Sequence, residues 1–216
     1  MHINLSDQNS LVSQYLYELR NLEIQSDRMR FRKNLERIGE IFAYEISKRL
    51  NFKDVSVTTE LGVSNCRVLS EQPVLATILR AGLPIHQGML NYFDQADNSF
   101  ISAYRKHDAT GAFHIELEYC ACPDLKDRVL IISDPMLATA SSMIDTLKKL
   151  EQFGIPSEIH VVAAIASVEG VKKMLAHPGK ITVWTAACDK DLDSKAYIVP
   201  GLGDAGDLSF GIKLQR

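Results

Sequence analysis

Five short apolar runs, Val74 to Leu79, Phe100 to Tyr104, Val129 to Ser133, Ile159 to Ala166 and Ile181 to Ala187, constrain this chain more than any other feature. They are continuous rather than alternating, so a strand built from any of them buries both faces, as in a parallel sheet covered by helices on both sides. Helical stretches follow the runs, and an α/β fold is the reading. The best-marked helix comes after the third run, with Met143, Ile144, Leu147, Leu150 and Phe153 on one face and Gly154 closing it.

The first fifty residues have another rhythm. After Ser10, the residues Leu11, Tyr15, Leu16 and Leu19 recur at helical spacing, and after Asp27 so do Phe31, Leu35, Ile38, Phe42 and Ile46. Residues 1–50 are therefore expected as a helical appendage to a single domain spanning 1–216, since 216 residues are too few for two full domains. Residues 105–123 open on a polar stretch, Arg105 to Gly111, and His114 to Cys120 then alternate as an exposed hairpin strand would. That is the profile of a flexible flap.

With 46% apolar and 24% charged residues, the chain can bury a sizeable core. Its 24 Lys and Arg against 27 Asp and Glu give a net charge of −3, without the basic excess of a protein whose main ligand is nucleic acid. The chain starts Met1-His2-Ile3-Asn4 with no basic stretch leading into an apolar run, and its apolar runs are strand-sized. A cytoplasmic location without membrane contact is expected. Cys66, Cys120, Cys122 and Cys188 lack metal or redox spacing and read as reduced thiols, and His86, His107, His114, His160 and His177 lack metal-ligand spacing. Trp184, within an apolar run, reads as core.

Three stretches carry chemistry. The run ending at Ser133 is followed by Asp134-Pro135-Met136-Leu137-Ala138-Thr139-Ala140-Ser141-Ser142 and then a helix. Backbone N–H groups at such a helix start bind anions, and Thr139, Ser141 and Ser142 add hydroxyls; an ordinary N-cap without ligand fits the same residues. Arg80, at a strand end beside Ala81-Gly82, offers fixed charged donors where backbone can approach a ligand closely. Pro200 to Gly211 holds four of the 12 glycines, as either a close-approach binding loop or a surface turn.

Taken together, these stretches resemble the uracil phosphoribosyltransferases. Residues 134–142 match that family's Asp-Pro-Met-Leu-Ala-Thr-Gly-Gly-Ser loop except at Ala140 and Ser141. Ile78-Leu79-Arg80-Ala81-Gly82-Leu83 resembles its pyrophosphate loop, Tyr104-Arg105 its second arginine, and Tyr197-Ile198-Val199-Pro200-Gly201-Leu202-Gly203-Asp204-Ala205-Gly206-Asp207 its uracil loop. Phe31-Arg32 and Tyr44-Glu45 extend the likeness over nearly the whole chain. The resemblance implies a parallel-sheet type I phosphoribosyltransferase fold with a hairpin flap and a C-terminal uracil-binding loop. It implies a pentosyltransferase of pyrimidine salvage that makes UMP and diphosphate from uracil and 5-phosphoribosyl 1-diphosphate (PRPP).

By that resemblance Arg80, Arg105, Asp134 and Asp204 are the catalytic residues. Together with Pro135, Met136, Leu137, Ala138, Thr139, Ala140, Ser141 and Ser142 they bind PRPP. Ile198, Gly203, Asp204 and Ala205 contact uracil. Lys106 and His107 are further candidates for gripping diphosphate. A cis Arg80–Ala81 peptide, Mg2+ bound mainly through PRPP, a homodimer or higher homo-oligomer and binding of GTP are implied as well. Type I members often have two consecutive acids where this chain has Asp134-Pro135, so the protein offers a metal less charge.

Three departures stand out. At Ala140, negative φ is expected, since a Cβ at positive φ costs about 1 to 2 kcal/mol. Ser167-Val168-Glu169-Gly170 replaces the usual Ala-Pro-Glu-Gly and is expected to affect a helix start rather than chemistry. In Asp207-Leu208-Ser209-Phe210-Gly211-Ile212, a polar or basic residue normally precedes and a Thr follows. A second function, a non-catalytic sensor of PRPP or UMP or an RNA regulator on the same scaffold, fits the fold; the set Arg80, Arg105, Asp134 and Asp204 favours catalysis.

Overall fold

The computed structural model describes residues 1–107 and 113–213. In chain order the elements are β1 (His2–Asn4), α1 (Leu11–Arg20), α2 (Leu22–Gln25), α3 (Arg28–Ser47), β2 (Phe52–Thr59), β3 (Gly62–Leu69), β4 (Val74–Leu79), α4 (Leu83–Leu90), β5 (Asp97–His107), β6 (Phe113–Ala121), β7 (Val129–Ser133), β8 (Met136–Leu137), α5 (Ser141–Leu150), β9 (Glu158–Ser167), α6 (Val168–Leu175), β10 (Ile181–Asp189), β11 (Asp191–Leu192), β12 (Ile198–Val199) and α7 (Ala205–Phe210). Each of the five apolar runs is a strand of one sheet ordered β1-β10-β9-β7-β4-β5-β6, with β8 also pairing β9. All pairs along it are parallel except β5 with β6.

Continuous apolarity has the expected cause. Leu75, Ile131, Val162, Ala164 and Trp184 face a core built with Leu16, Leu19, Phe31, Leu35, Ile38 and Phe42 of α1 and α3 and with Ile85 and Met89 of α4. Their neighbours Val74, Ala76, Leu130, Ile132, Val161, Ala163 and Val183 face a second core with Met143, Leu147 and Leu150 of α5 and Val171 and Met174 of α6. Successive side chains alternate between faces, and both faces are covered.

The N-terminal helices begin where their caps predict, the Ser10 side chain accepting from the Val12 N–H and Asp27 from the Arg30 N–H. They are not peripheral: Phe31, Leu35, Ile38 and Phe42 are fully or almost fully buried, so α1 and α3 are a layer of the core. Glu18 ties them together, accepting from Arg30 Nε (2.8 Å), Arg30 Nη2 (3.0 Å) and Asn34 Nδ2 (2.7 Å). Two features have no counterpart in the sequence reading. The three residues of β1 pair with β10 at the edge of the sheet, and β2 and β3 form a separate antiparallel arm.

From β4 the chain winds to β5 on one side and returns as β7 on the other. The winding direction reverses between β4 and β7, and in open α/β sheets the crevice at the carboxyl ends of such a strand pair is where ligands bind. The expected flap begins beyond that edge: β5 pairs with β4 as far as Ser102 and runs on to His107 against β6. Residues 108–112 of the expected flap lie outside the described residues, and so do the side chains of 103–118, Arg105, Lys106, His107 and His114 among them.

Candidate active site

Three loops meet at the carboxyl ends of β4, β7 and β10. The first leaves β7 at Asp134, whose N–H donates to Val162 O (3.1 Å) and whose Oδ1 accepts from the Met136 N–H (3.4 Å). Its carboxyl opens only partly to the crevice. Burial pushes its pKa up from the ordinary 3.8 to about 7, against the weaker opposite pull of the Met136 N–H. Pro135, Met136 and Leu137 continue along β9, the Pro135 carbonyl accepting from Ile165 N–H (3.0 Å).

Ala140 corrects the sequence expectation, because its φ is +59° and its ψ 0°, a left-handed conformation. A left-handed residue just before a right-handed helix turns successive N–H groups into one concavity, which attracts anions. Among the described residues, the N–H groups of Thr139, Ala140, Ser142 and Met143 have no protein acceptor, and that of Ser141 reaches only Thr139 Oγ1 at 3.5 Å. Thr139 Oγ1 in turn donates to Ser141 Oγ (3.2 Å). The Ala140 methyl is buried with Met143 and Leu147, which offsets part of the strain.

Behind this loop stands Ser167, the last residue of β9. Its hydroxyl donates to Ala138 O (2.6 Å) and accepts from the Gly170 N–H (2.8 Å) at the start of α6. The departure expected to affect only a helix start thus also braces the phosphate-loop candidate. Because a trans peptide points its N–H away from its C=O, pulling the Ala138 carbonyl towards α6 aims the Thr139 N–H the other way. Gly170 allows the approach, since a Cβ there would lie 2.6 Å from Leu137 O.

The second loop follows β4. Its cis bond is Leu79–Arg80 rather than the implied Arg80–Ala81, at the end of β4 and within the turn that the Gly82 N–H closes on Ile78 O (3.0 Å). Gly82 packs so tightly that a Cβ would sit 2.8 Å from Ser133 O, which places this loop against the end of β7. The Arg80 guanidinium donates through Nη2 to Asp207 Oδ1 and to Gly211 O, both at 3.2 Å.

The third loop, 198–211, therefore touches the second. Ile198 and Ala205 are buried, and Gly203 and Asp204 are exposed. Gly201 and Gly203 need positive φ, +58° and +96°, and the Val199–Pro200 bond is cis. Asp204 caps α7, its Oδ1 accepting from Asp207 N–H (2.9 Å). A cleft of about 480 Å³ runs along this loop, walled also by Arg20, Leu22 and Gln25. The loop is held from the N-terminal helices: Arg32 Nη1 donates to Ser209 O (2.6 Å), and Arg20 Nη1 to Gly201 O (3.2 Å). Asp189, at the end of β10, accepts the Gly201 N–H (2.9 Å). Within the third departure, Leu208 packs against the core.

The match to known proteins decides the family. Residues 6–212 fit the family model described as uracil phosphoribosyltransferase. The chain belongs to the uracil phosphoribosyltransferase family. It is 52% identical over 213 residues to the uracil phosphoribosyltransferase of Porphyromonas gingivalis, covering 98% of this chain and 99% of that one. To the uracil phosphoribosyltransferase of Methanothermobacter thermautotrophicus it is 38% identical, covering 84% and 83%. A solved protein of Aquifex aeolicus superposes with a TM-score of 0.85 at 29% identity over 100% of both chains. A hypoxanthine phosphoribosyltransferase of Staphylococcus aureus shares the fold, with a TM-score of 0.51 at 11% identity over 90% and 93%.

Of the sequence-predicted residues, the fold brings Arg80, Asp134, the 135–142 loop, Ile198, Gly203, Asp204 and Ala205 to one edge of the sheet. The backbone of Arg105 lies three residues beyond the end of the β4–β5 pairing. The remaining conspicuous residues are structural. His86 is buried with Nε2 2.8 Å from Asn98 Oδ1, and Trp184 Nε1 donates to the buried His160 Nδ1 (3.0 Å). The four cysteines are free. Nothing local in the sequence marks Arg20 or Asp189. Arg32 carries a signal only within the Phe31-Arg32 likeness to the family, and Ser167 only as a departure from the family pattern.

Proposed function

We propose that the three loops divide one reaction among them. The enzyme joins N1 of uracil to C1 of PRPP, forming UMP and releasing diphosphate. The 5'-phosphate is assigned to the cradle of Ala138 to Ser142, the ribose hydroxyls to Asp134, the diphosphate to Arg80 and Arg105, and uracil to Ile198, Gly203, Asp204 and Ala205. What supports this is the set of unpartnered N–H groups around the left-handed Ala140, on the β7 side of the winding reversal.

Each assignment follows from charge. A dianionic phosphate suits N–H groups at a helix start. Arginine presents a planar fork that stays charged, which suits a leaving diphosphate whose charge grows in the transition state. The bonds of Arg80 to Asp207 and Gly211 mean that diphosphate competes for its donors with the base loop, which couples the two ligands. An ionised Asp134 stabilises positive charge developing at C1. Uracil offers acceptors at O2 and O4 and a donor at N3. The backbone C=O of Ile198 and N–H groups from Gly203 to Ala205 have the complementary polarity, whereas cytosine inverts two of the three positions and leaves buried groups unpaired.

Magnesium would supply charge neutralisation of the diphosphate. Among the described residues no three His, Cys, Asp or Glu side chains cluster as a cage, so Asp134 and Asp204 would serve as oxygen partners to an ion carried mainly by PRPP. The same reading carries a homo-oligomer, supported by the exposed Phe52, Val57, Leu61 and Val63 on the β2–β3 arm, and a cytoplasmic location, supported by the absence of a membrane-length helix among the described residues. A response to GTP rests on the family resemblance.

An assay of labelled uracil with PRPP and magnesium tests the assignment. UMP should form, with uracil preferred to cytosine by at least about tenfold. Equal turnover of cytosine would overturn the uracil-loop assignment, and tight PRPP binding without turnover would favour the sensor.

A further inference from the structure

We infer that Arg20 and Asp189, far from the reacting atoms in sequence and on no ligand loop themselves, are the positioning residues of the base-recognition loop. The inference rests on reading 198–205 as the uracil site. Arg20 ends α1, and Asp189 ends β10. Their charges meet as a fork, Nη2 to Oδ1 at 2.7 Å and Nη1 to Oδ2 at 2.8 Å, with Asp189 only 9% exposed. Such bidentate pairs fix orientation as well as distance.

The pair also grips both polar groups of Gly201. Asp189 Oδ2 accepts its N–H at 2.9 Å, and Arg20 Nη1 donates to its C=O at 3.2 Å. Gly201 stands at φ +58°, and its Cα packs so closely on the Ile198 carbonyl that a Cβ would come within 3.1 Å of the carbonyl carbon. Fixing Gly201 therefore fixes the direction of Ile198 C=O, the acceptor assigned to the base. A loop that discriminates bases through its backbone cannot swap side chains to keep its polarity pattern, so it needs an external frame. The sheet, through Asp189, and the N-terminal helices, through Arg20, supply that frame.

Steady-state kinetics on the full chain test this, using Arg20→Lys, Arg20→Met, the double variant Arg20→Met/Asp189→Leu, and Gly203→Ala as a probe of the loop itself. Replacing both members of a buried ion pair by apolar residues commonly preserves stability while a single loss does not, so the double variant separates folding from positioning. In the double variant, the KM for uracil should rise at least about tenfold and selectivity against cytosine should fall, with a smaller rise in the PRPP KM, which the loop reaches only through Asp204 and the Arg80 contacts. Arg20→Lys, which keeps the charge but loses the fork, should fall between wild type and Arg20→Met.

If the double variant regains both thermal stability and the wild-type uracil KM, the pair is merely structural and the inference is overturned. A rise of equal size in both KM values would overturn it too. Gly203→Ala forces a side chain onto φ +96°, so it should raise the uracil KM whether or not the clamp exists. An effect of Gly203→Ala without one from the Arg20 variants defeats the clamp and spares the loop assignment. No effect from any variant defeats the loop assignment and the clamp with it.

Discussion

The loops proposed for phosphate and for the base sit at the same end of the sheet but are rooted on opposite faces of it. Leu137 and Ala140 pack into the core under α5 and α6, whereas Ile198, Leu202 and Ala205 pack into the core under α1, α3 and α4. The first loop is built almost entirely from its own neighbourhood: a strand end, a left-handed residue and the helix that follows. The second is short of regular structure and is held by side chains from more than 170 positions away, Arg20 bonding to Gly201 across a separation of 181 and Arg32 to Ser209 across 177. A group recognised by charge needs only a helix start, while a neutral base recognised by backbone polarity needs a fixed frame.

The comparison breaks or sharpens under four substitutions. The largest effect is expected from Asp134→Asn, because the proposed reaction develops positive charge beside this carboxylate: kcat/KM should fall by about a hundredfold or more above neutral pH. In the wild type, kcat/KM for PRPP should climb as pH rises through about 7, where Asp134 ionises, and this limb should vanish in the variant. Stability runs the opposite way. The raised folded pKa favours the folded chain fully below about 4, and that contribution is lost as pH rises through about 7, so Asp134→Asn should melt later than wild type above neutrality.

Next comes Thr139→Val, which deletes a hydroxyl of the cradle. PRPP binding should weaken by about 1.5 to 3 kcal/mol, measured calorimetrically, while the uracil KM at saturating PRPP stays put. No loss would move the 5'-phosphate elsewhere. Ser167→Ala should act more weakly, raising the PRPP KM several-fold and costing roughly 1 to 2 kcal/mol of stability through the Gly170 cap and the unpaired Ala138 carbonyl. If it disturbed uracil instead, the two loops would not be separately braced.

Ala140→Gly should do least. The left-handed strain belongs to the folded chain with or without phosphate, so its relief of about 1 to 2 kcal/mol appears in the melting temperature rather than in affinity. The greater freedom of an unfolded glycine takes back about 0.4 to 1 kcal/mol and loss of the buried methyl about 0.8 kcal/mol more, so the net change stays under about 1 kcal/mol, or roughly 2 to 4 °C at most. PRPP affinity should stay within about threefold.

How far the sequence discloses each region follows the same divide. Continuous apolar runs announced β4, β7, β9 and β10 to within a residue or two, because burial on both faces admits few other residues. Ser10 and Asp27 announced the two long N-terminal helices, because a cap is a local bond. The β2–β3 arm is not legible because it buries almost nothing, so its apolar residues, Phe52, Val57 and Val63 among them, stand apart rather than in a continuous run. The conformation of Ala140 was misjudged for a different reason. Alanine's preference for negative φ is an average, and here a buried methyl and the turn into α5 override it. Arg20 and Asp189 are legible only when both ends of the chain are folded together.

Ser167 and Asp189 are direct partners in the register of β9 and β10. One braces the cradle proposed for the sugar phosphate and the other the frame proposed for the base, so in that reading the span between the two ends of the nucleotide is set by adjacent strands, about 4.8 Å apart. A sheet is among the stiffest rulers a chain can make. On the proposed assignments, the base loop can therefore change its sequence without moving the phosphate cradle, whereas a bulge between these two strands would shift one site relative to the other.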